Sequence, residues 1–519
     1  MKDLTSSVYT FEDLIKGNYL YIDKTEYLLK LVRPYKGIYF LSRPRRFGKS
    51  LTVSTLKAIF EGKKHLFKGL AIAEISYDWQ EYPVIHLDLN GWDFSTLEKM
   101  QESLCGLVAE CAVKHGVSLA SSTPDGMFRE LITKVSAKGN VVILVDEYDK
   151  PILNNVGKSC AQAILDKLKV FYSVIKAFES SERFVFVTGV SKFSHVSIFS
   201  DLNNLYDISM DYDYATMLGY TQEEFETNFA EYIEQAVAIL KVTREKLLHD
   251  IKAWYDGYRF HAHGDSVYNP VSLAQFFLKR CEFNNYWFDT GTPSFLIEEI
   301  KKTHFDFEDI LSRPVNSLAF KAFEIDRIDP LSLLVQTGYL TIKDSFQDFD
   351  TTFYRLGFPN VEVRSAFDTY LLNAYTSISR NDLAMVGVSL ARHVRNGNVD
   401  GFMNDLKSFL KKIPYGIQLS EEKYYQTIIF LLFLLLGIHI EAESQTSDGR
   451  IDAVAACGDW VYLFEFKLNQ SAEIAFDQIM HKEYFHKYLH TGKRTVAIGA
   501  NLDFATRQMT DWKHQEIQD

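Results

Sequence analysis

Gly48-Lys49-Ser50 is the first group in this chain whose order implies chemistry. A lysine that can reach phosphate oxygens, next to a hydroxyl that can ligate Mg²⁺, makes a phosphate-binding loop if a strand precedes it and a helix follows. Both are expected. Ile38-Tyr39-Phe40-Leu41 is an apolar, aromatic run of strand type, residues 42–47 break it, and Leu51, Leu56 and Ile59 return at roughly helical spacing. The loop residues are then Arg45, Arg46, Phe47, Gly48, Lys49, Ser50 and Leu51. Arg45 and Arg46 suit phosphate or nucleic-acid contact as well as loop support. The pattern G-x-x-x-x-G-K-[ST] is incomplete, because Arg43 stands where the first Gly belongs. On the tripeptide alone, a basic loop capping a helix is an equal alternative.

A second group adds weight to the first. Val141-Val142-Ile143-Leu144-Val145 runs into Asp146-Glu147. Five apolar residues ending in two carboxylates describe a central parallel strand with a charged C-terminal tip, where α/β sheets bind ligands. Asp146 could help hold Mg²⁺ and Glu147 could polarise an attacking water. A buried strand entering an acidic turn explains either motif singly. Together they point to a nucleotide site.

The third group lies near the C-terminus. Asp452 falls in Gly449-Arg450-Ile451-Asp452-Ala453-Val454, and Glu465-x-Lys467 ends the apolar run that starts at Trp460. The two segments are expected as neighbouring strands joined by a turn at Cys457-Gly458-Asp459, with Glu465 and Lys467 on one face. Two carboxylates can hold one or two Mg²⁺ ions, and a lysine can orient water or stabilise charge at a phosphodiester. Spacing alone slightly favours a plainer alternative, a salt bridge across a solvated sheet face.

The elements that must position these groups follow from pattern. Residues 82–89 alternate as a strand, residues 97–115, 125–137 and 161–178 are helical in period, and residues 183–188 form another apolar strand. Strands alternating with helices over residues 37–210 predict a parallel α/β sheet covered on both faces. Thr188 and Ser191 at the end of its last strand are candidates for sensing a γ-phosphate, although an ordinary strand-to-loop transition explains each. Asp23, with Glu26 three residues on, resembles a helix cap and is assigned a structural role. From about residue 220 helices with aromatic-rich connections take over, and residues 305–412 are expected to be largely helical. Arg259 in this region is expected as a structural, aromatic-stacked arginine. Residues 428–440 are too short an apolar run to span a bilayer and predict a buried helix leading into a strand.

Composition limits the classes that remain. A chain of 519 residues is too long for one core, and 47% hydrophobic content excludes global disorder. A net charge of −12 argues against a protein that coats nucleic acid, while leaving room for a confined basic groove. The five cysteines are scattered, with Cys111 and His115 alone at helical spacing. Free thiols in a reducing cytoplasm are expected. The N-terminal residues lack a signal-peptide pattern, and a cytoplasmic protein without membrane association is the expectation.

Taken together, these motifs resemble the AAA-ATPase-like proteins that carry a C-terminal PD-(D/E)XK nuclease domain. The resemblance rests on YIDKT, SRPRRFGKS, PVIHLDL, VDEYDKPI and VTGVSKFS, on WYDGYRF, YNP and YW…TG in the middle, and on EKYYQ, GRIDAV and EFK with Gln478. It covers nearly the whole chain. It implies a P-loop NTPase sheet over residues 1–215, a helical, lid- or winged-helix-like middle over residues 216–412, and a restriction-endonuclease-like α/β domain over residues 413–519. It implies ATP and Mg²⁺ at Lys49, Ser50, Asp146 and Glu147. It further implies a nuclease metal site at Asp452 and Glu465, with Lys467 as catalytic lysine and Glu422 as an outer acid. Nucleic acid, DNA ahead of RNA, becomes the expected substrate, in defence or mobile-element biology, and self-association stays open. The alternative is a nucleotide-switched interaction protein whose nuclease fold does not cleave.

Overall fold

Runs of buried β-branched and aromatic residues build the first sheet. Its strands are β1 (Gly37–Ser42), β2 (Val84–Asp88), β3 (Val141–Asp146), β4 (Glu182–Gly189) and β5 (Tyr206–Asp207), in the order β2-β3-β4-β1-β5. All neighbours are parallel. Every residue of β3 and β4 is buried, which explains their nearly continuous apolar sequence. Helices Lys49–Phe60, Leu97–His115, Pro124–Ser136 and Ala161–Ala177 connect and cover the strands. Thr96 and Thr123 accept main-chain hydrogen bonds at two of their N-termini. Because the strands are parallel, Ser42, Asp88, Asp146 and Gly189 all finish at one edge of the sheet, and the loops that follow gather there.

The computed structural model describes residues 1–192, 204–287, 314–320, 329–414, 422–435, 439–446, 449–483, 485–489, 492–503, 506 and 508–517. They divide into two compact units, Met1–Val363 and Arg364–Asp519. Beyond the parallel sheet, the first unit holds helices Gln222–Asn228, Ala230–Leu240, Arg244–Tyr255 and Pro270–Leu278 around an aromatic cluster of Phe225, Phe229, Tyr255, Tyr268 and Phe276. Ile22 from the N-terminal segment joins that cluster.

One departure from the largely helical expectation for residues 305–412 is a small antiparallel sheet of β6 (Val315–Asn316), β7 (Thr341–Asp348) and β8 (Thr351–Gly357). Only the start of β7 is buried, so the outer part of the hairpin shows little apolar pattern. Cross-strand pairs hold it instead. The rings of Phe346 and Phe353 lie 5.7 Å apart, and Arg355 donates to Asp344 at 2.8 Å.

The second unit is built on a mixed sheet of β9 (His439–Thr446), β10 (Gly449–Cys457), β11 (Trp460–Leu468), β12 (Arg494–Asp503) and β13 (Gln508–Ile517), ordered β13-β12-β11-β10-β9. Only β11 and β12 pair in parallel, and helix Ala472–His481 makes the crossover between them. Gly499 permits that crossover to pack closely. A Cβ there would lie 2.3 Å from the Phe476 nitrogen and 2.5 Å from the Ala472 carbonyl oxygen. The apolar run at residues 428–440 becomes helix Glu422–Leu435 followed by β9. Among the described residues no helix is long and apolar enough to cross a membrane.

Candidate functional site

The phosphate loop leaves β1 at Ser42 and re-enters regular structure at Lys49, the first residue of its helix. Gly48 makes the turn with φ of +93°, a conformation that suits glycine. Lys49 is buried, and its Nζ donates to the carbonyl oxygens of Arg43 at 3.0 Å and Pro44 at 2.9 Å. Burial pushes its pKa down, opposed by Asp146, Glu147 and Asp149. Three carboxylates therefore act electrostatically on one buried amine.

Asp146 closes β3 at 2% exposure, near enough to the Ser50 side chain for the hydroxyl to act on its carboxylate. Burial pushes its pKa up to about 6; Ser50 and Lys49 oppose that rise, and Asp88 and Glu147 add to it. Glu147 follows with φ of +54°, its N–H donating to Asp146 Oδ1 at 3.0 Å and its carboxylate 3.2 Å from Lys150. Arg46 has φ of +65°. Non-glycine residues in this region cost roughly 1–2 kcal/mol each, and such strain gathers at working sites. Here it falls three residues before Lys49 and immediately after Asp146.

Lys49, Ser50, Asp146 and Glu147 thus meet at one sheet edge, joined by Gly48 and, in the first helical turn, Leu51. Arg46 instead donates to the carbonyl of Tyr286, while the carbonyl of Arg45 accepts from Trp287 Nε1 at 3.2 Å. Phe47 is buried edge-on against Tyr258 and Phe260. Arg43, the departure from the loop pattern, is a structural bolt. Its guanidinium sits 4.1 Å from the Phe260 ring and donates to the carbonyls of Ser42, Ser209 and Tyr214. Burial pushes it down to about 9.

Asp149 is the site residue that spacing alone misses. It is 1% exposed and accepts from the N–H groups of Val190 and Ser191 and from the Ser191 hydroxyl, the latter two at 2.8 Å. The signal was the last acid of Asp146-Glu147-Tyr148-Asp149. Ser191 is thereby committed to Asp149, and Thr188 donates to the Leu41 carbonyl at 2.8 Å, stitching β4 to β1. Both sensor candidates hold structural bonds. Asp23 precedes helix Thr25–Val32 by two residues rather than capping it, and clamps Thr25 and the Ala71 N–H. Arg259 donates to the Lys343 carbonyl, and the stacked arginine of this region is Arg43. Cys111 and His115 turn separately to the carbonyls of His86 and Val84.

In the second unit, β10 and β11 pair antiparallel from Cys457↔Trp460 to Ala453↔Phe464. One step further the ladder gives way to a side chain: Asp452 Oδ2 accepts from the Phe466 N–H at 2.7 Å. Glu465 is 2% exposed, and Lys467 Nζ donates to its Oε1 at 2.8 Å, as the two-residue alternation requires. Gln478 is half-buried on the crossover helix. Glu422 begins its helix, but its side chain lies outside the described residues.

Both sites offer donors that suit Mg²⁺. Ser50 with Asp146 and Asp452 with Glu465 present hard oxygens. Among the described residues no three or more His, Cys, Asp or Glu side chains form a closed metal centre. A cation at either site would keep water ligands, as Mg²⁺ usually does.

A parallel sheet with a lysine–serine–aspartate cluster at its C-terminal edge defines a phosphate-loop α/β protein, and the second unit carries a nuclease-like mixed sheet. Residues 6–199 match the family model described as predicted AAA-ATPase, and residues 420–512 match that of the PD-(D/E)XK nuclease superfamily. An uncharacterized protein in the vnfD 5′ region of Azotobacter chroococcum mcd 1 is 34% identical over 524 residues, spanning 98% of each chain. The chain belongs to this family of AAA-ATPase-like proteins with a C-terminal PD-(D/E)XK nuclease superfamily domain.

Proposed function

We propose that the protein binds and hydrolyses ATP and, under that control, cleaves nucleic acid, DNA ahead of RNA, in defence or mobile-element biology. The ATPase part would occupy residues 1–215, the middle residues 216–412 and the nuclease part residues 413–519. The observation that carries the reading is the convergence of Lys49, Ser50 and Asp146 at one sheet edge. Lys49 exchanges the carbonyls of Arg43 and Pro44 for β- and γ-phosphate oxygens. Gly48 and Leu51, with Arg45, Arg46 and Phe47, shape the loop around them. Ser50 and Asp146 would hold Mg²⁺, and Glu147 would accept a proton from the attacking water.

At the second site Asp452 and Glu465 would hold Mg²⁺, which when bound would supply Lewis-acid stabilisation of a phosphodiester. Lys467 orients the attacking water and balances charge. Its bond to Glu465 supports this role, because the amine is already directed at the acid that would carry the cation.

The test is cleavage of plasmid, single-stranded DNA and RNA with Mg²⁺ or Mn²⁺, with and without ATP, for wild type, Lys467→Ala and Lys49→Ala. Cleavage lost in the first variant and altered in the second is expected. Cleavage indifferent to Lys49→Ala would leave two independent activities. Absence of cleavage alongside confirmed ATP binding would favour the nucleotide-switched interaction protein.

A further inference from the structure

A buried carboxylate that the nucleotide site does not use lies at the far end of a bond chain from the phosphate loop. Glu362 is fully buried, and its Oε1 accepts from the N–H of Tyr286 at 2.6 Å, the N–H of Trp287 at 2.7 Å and the Ser272 hydroxyl at 3.1 Å. Tyr286 and Trp287 are the residues that hold the loop. The Tyr286 carbonyl receives the Arg46 guanidinium, and Trp287 Nε1 donates to the Arg45 carbonyl. Trp287 is fixed in turn by the Tyr339 ring, edge-on at 5.2 Å. Next to it Gly338, at φ of +90°, lies against Pro44 of the loop, where a Cβ would come within 2.7 Å.

Three donors on one oxygen, all drawn from Ser272 and residues 286–287, fix Glu362 far more tightly than packing needs. A carboxylate desolvated this fully is held at about 7 by burial, and the Arg46 charge opposes that rise. Arg46 therefore acts on Glu362 electrostatically as well as through Tyr286. Glu362 also has a telling position in the chain. It lies in the first turn of helix Val361–Thr376, and the division between the two compact units falls one residue later, between Val363 and Arg364. Asn360 fixes the start of that helix, accepting from the Val363 N–H at 3.0 Å and donating to the Asp256 carbonyl at 2.8 Å.

We propose that Glu362 is a positioning residue that ties the state of the phosphate loop, through Tyr286, Trp287, Arg45 and Arg46, to helix Val361–Thr376. The inference rests on the nucleotide-binding reading above. The loop carbonyls of Arg43 and Pro44 bond Lys49, so phosphate that claims the Lys49 amine frees them and changes the loop backbone. Arg45 and Arg46 adjoin those carbonyls, and any movement there is felt at Tyr286 and Trp287. Coupling of this kind requires an element with two arrangements that both ends can bias. The path that would carry it has two hydrogen-bonded steps, Arg46 to the Tyr286 carbonyl and the Tyr286 N–H to Glu362.

The experiment is hydrogen exchange of the full chain with and without MgATP, for wild type, Glu362→Gln and Trp287→Phe. In wild type MgATP should raise protection both in residues 43–50 and in residues 361–376. In both variants residues 43–50 should stay protected by MgATP while residues 361–376 stop responding. Trp287→Phe keeps the ring and decides the matter if Glu362→Gln does not fold. A helix that still responds in the variants, or does not respond in wild type, overturns the proposal. If residues 43–50 of wild type do not respond to MgATP, the nucleotide reading itself fails, and the relay fails with it.

Discussion

The two candidate sites each set a lysine beside carboxylates, with opposite architectures. The phosphate loop is irregular backbone. Its lysine is folded onto its own loop carbonyls, and Arg46 and Glu147 are held in left-handed conformations. The nuclease-like set sits on two strands. Lys467 already points to Glu465, and Asp452 is tied to the main chain of the facing strand. On the proposed reading the first site would rearrange to accept a ligand, whereas the second is pre-organised by strand alternation. A loop site can report occupancy elsewhere in the molecule, and a strand site keeps catalytic groups in register.

That contrast can be broken most decisively at the lysines. If Lys467 acts in the transition state as proposed, Lys467→Ala should lower cleavage by roughly 10³-fold, with MgATP affinity unchanged, measured by plasmid nicking and nucleotide titration. On the same proposal Lys49→Ala removes a ground-state phosphate contact. It should weaken MgATP binding by about 10²-fold, measured by calorimetry. If Lys467→Ala cleaved normally, the pre-organised pair would be only a structural salt bridge.

Asp149 sharpens the loop side of the comparison. Asp149→Ala strands the N–H groups of Val190 and Ser191 in a buried setting, so the fold should lose about 2 kcal/mol in urea denaturation. No residue of the strand pair holds a loop in this way. A loss below a few tenths of a kcal/mol would mean that the segment after β4 relaxes freely.

Legibility in the sequence follows the same division. Strands β1, β3, β4 and β11 were visible because full burial in β3 and β4 and near-full burial in β1 and β11 write continuous apolar runs, and the Glu465–Lys467 pairing followed from the two-residue strand repeat alone. The hairpin of β7 and β8 was not, since it is mostly exposed and is held by cross-strand pairs that no period announces. The role of Arg43 was also hidden. Its partners Ser209, Tyr214 and Phe260 lie more than a hundred residues away, and only the folded chain brings them to a guanidinium. Glu362 is the extreme case, an acid in an unremarkable helical stretch whose meaning depends on residues 286–287.

The smallest expected effect tests whether the loop site carries stored electrostatic cost. Burial raises the Asp146 pKa to about 6 from an ordinary 3.8. A carboxyl raised in the folded state contributes stability that is fully present below its unfolded value and is lost as pH rises through about 6. At pH 7.5 the nucleotide-free protein therefore bears an ionised, desolvated Asp146, whereas at pH 4 it bears little penalty there. Asp146→Asn keeps an acceptor for the Glu147 N–H and removes the charge. It should stabilise the nucleotide-free protein by about 1–2 kcal/mol at pH 7.5, seen as a rise of a few degrees in Tm, and by almost nothing near pH 4. The same variant should lose Mg²⁺-dependent ATP binding, because an amide cannot replace an anionic ligand. Stabilisation equal at both pH values would show that the charge of Asp146 is already compensated by Lys49, and the loop site would then be as settled before ligand arrives as the strand site.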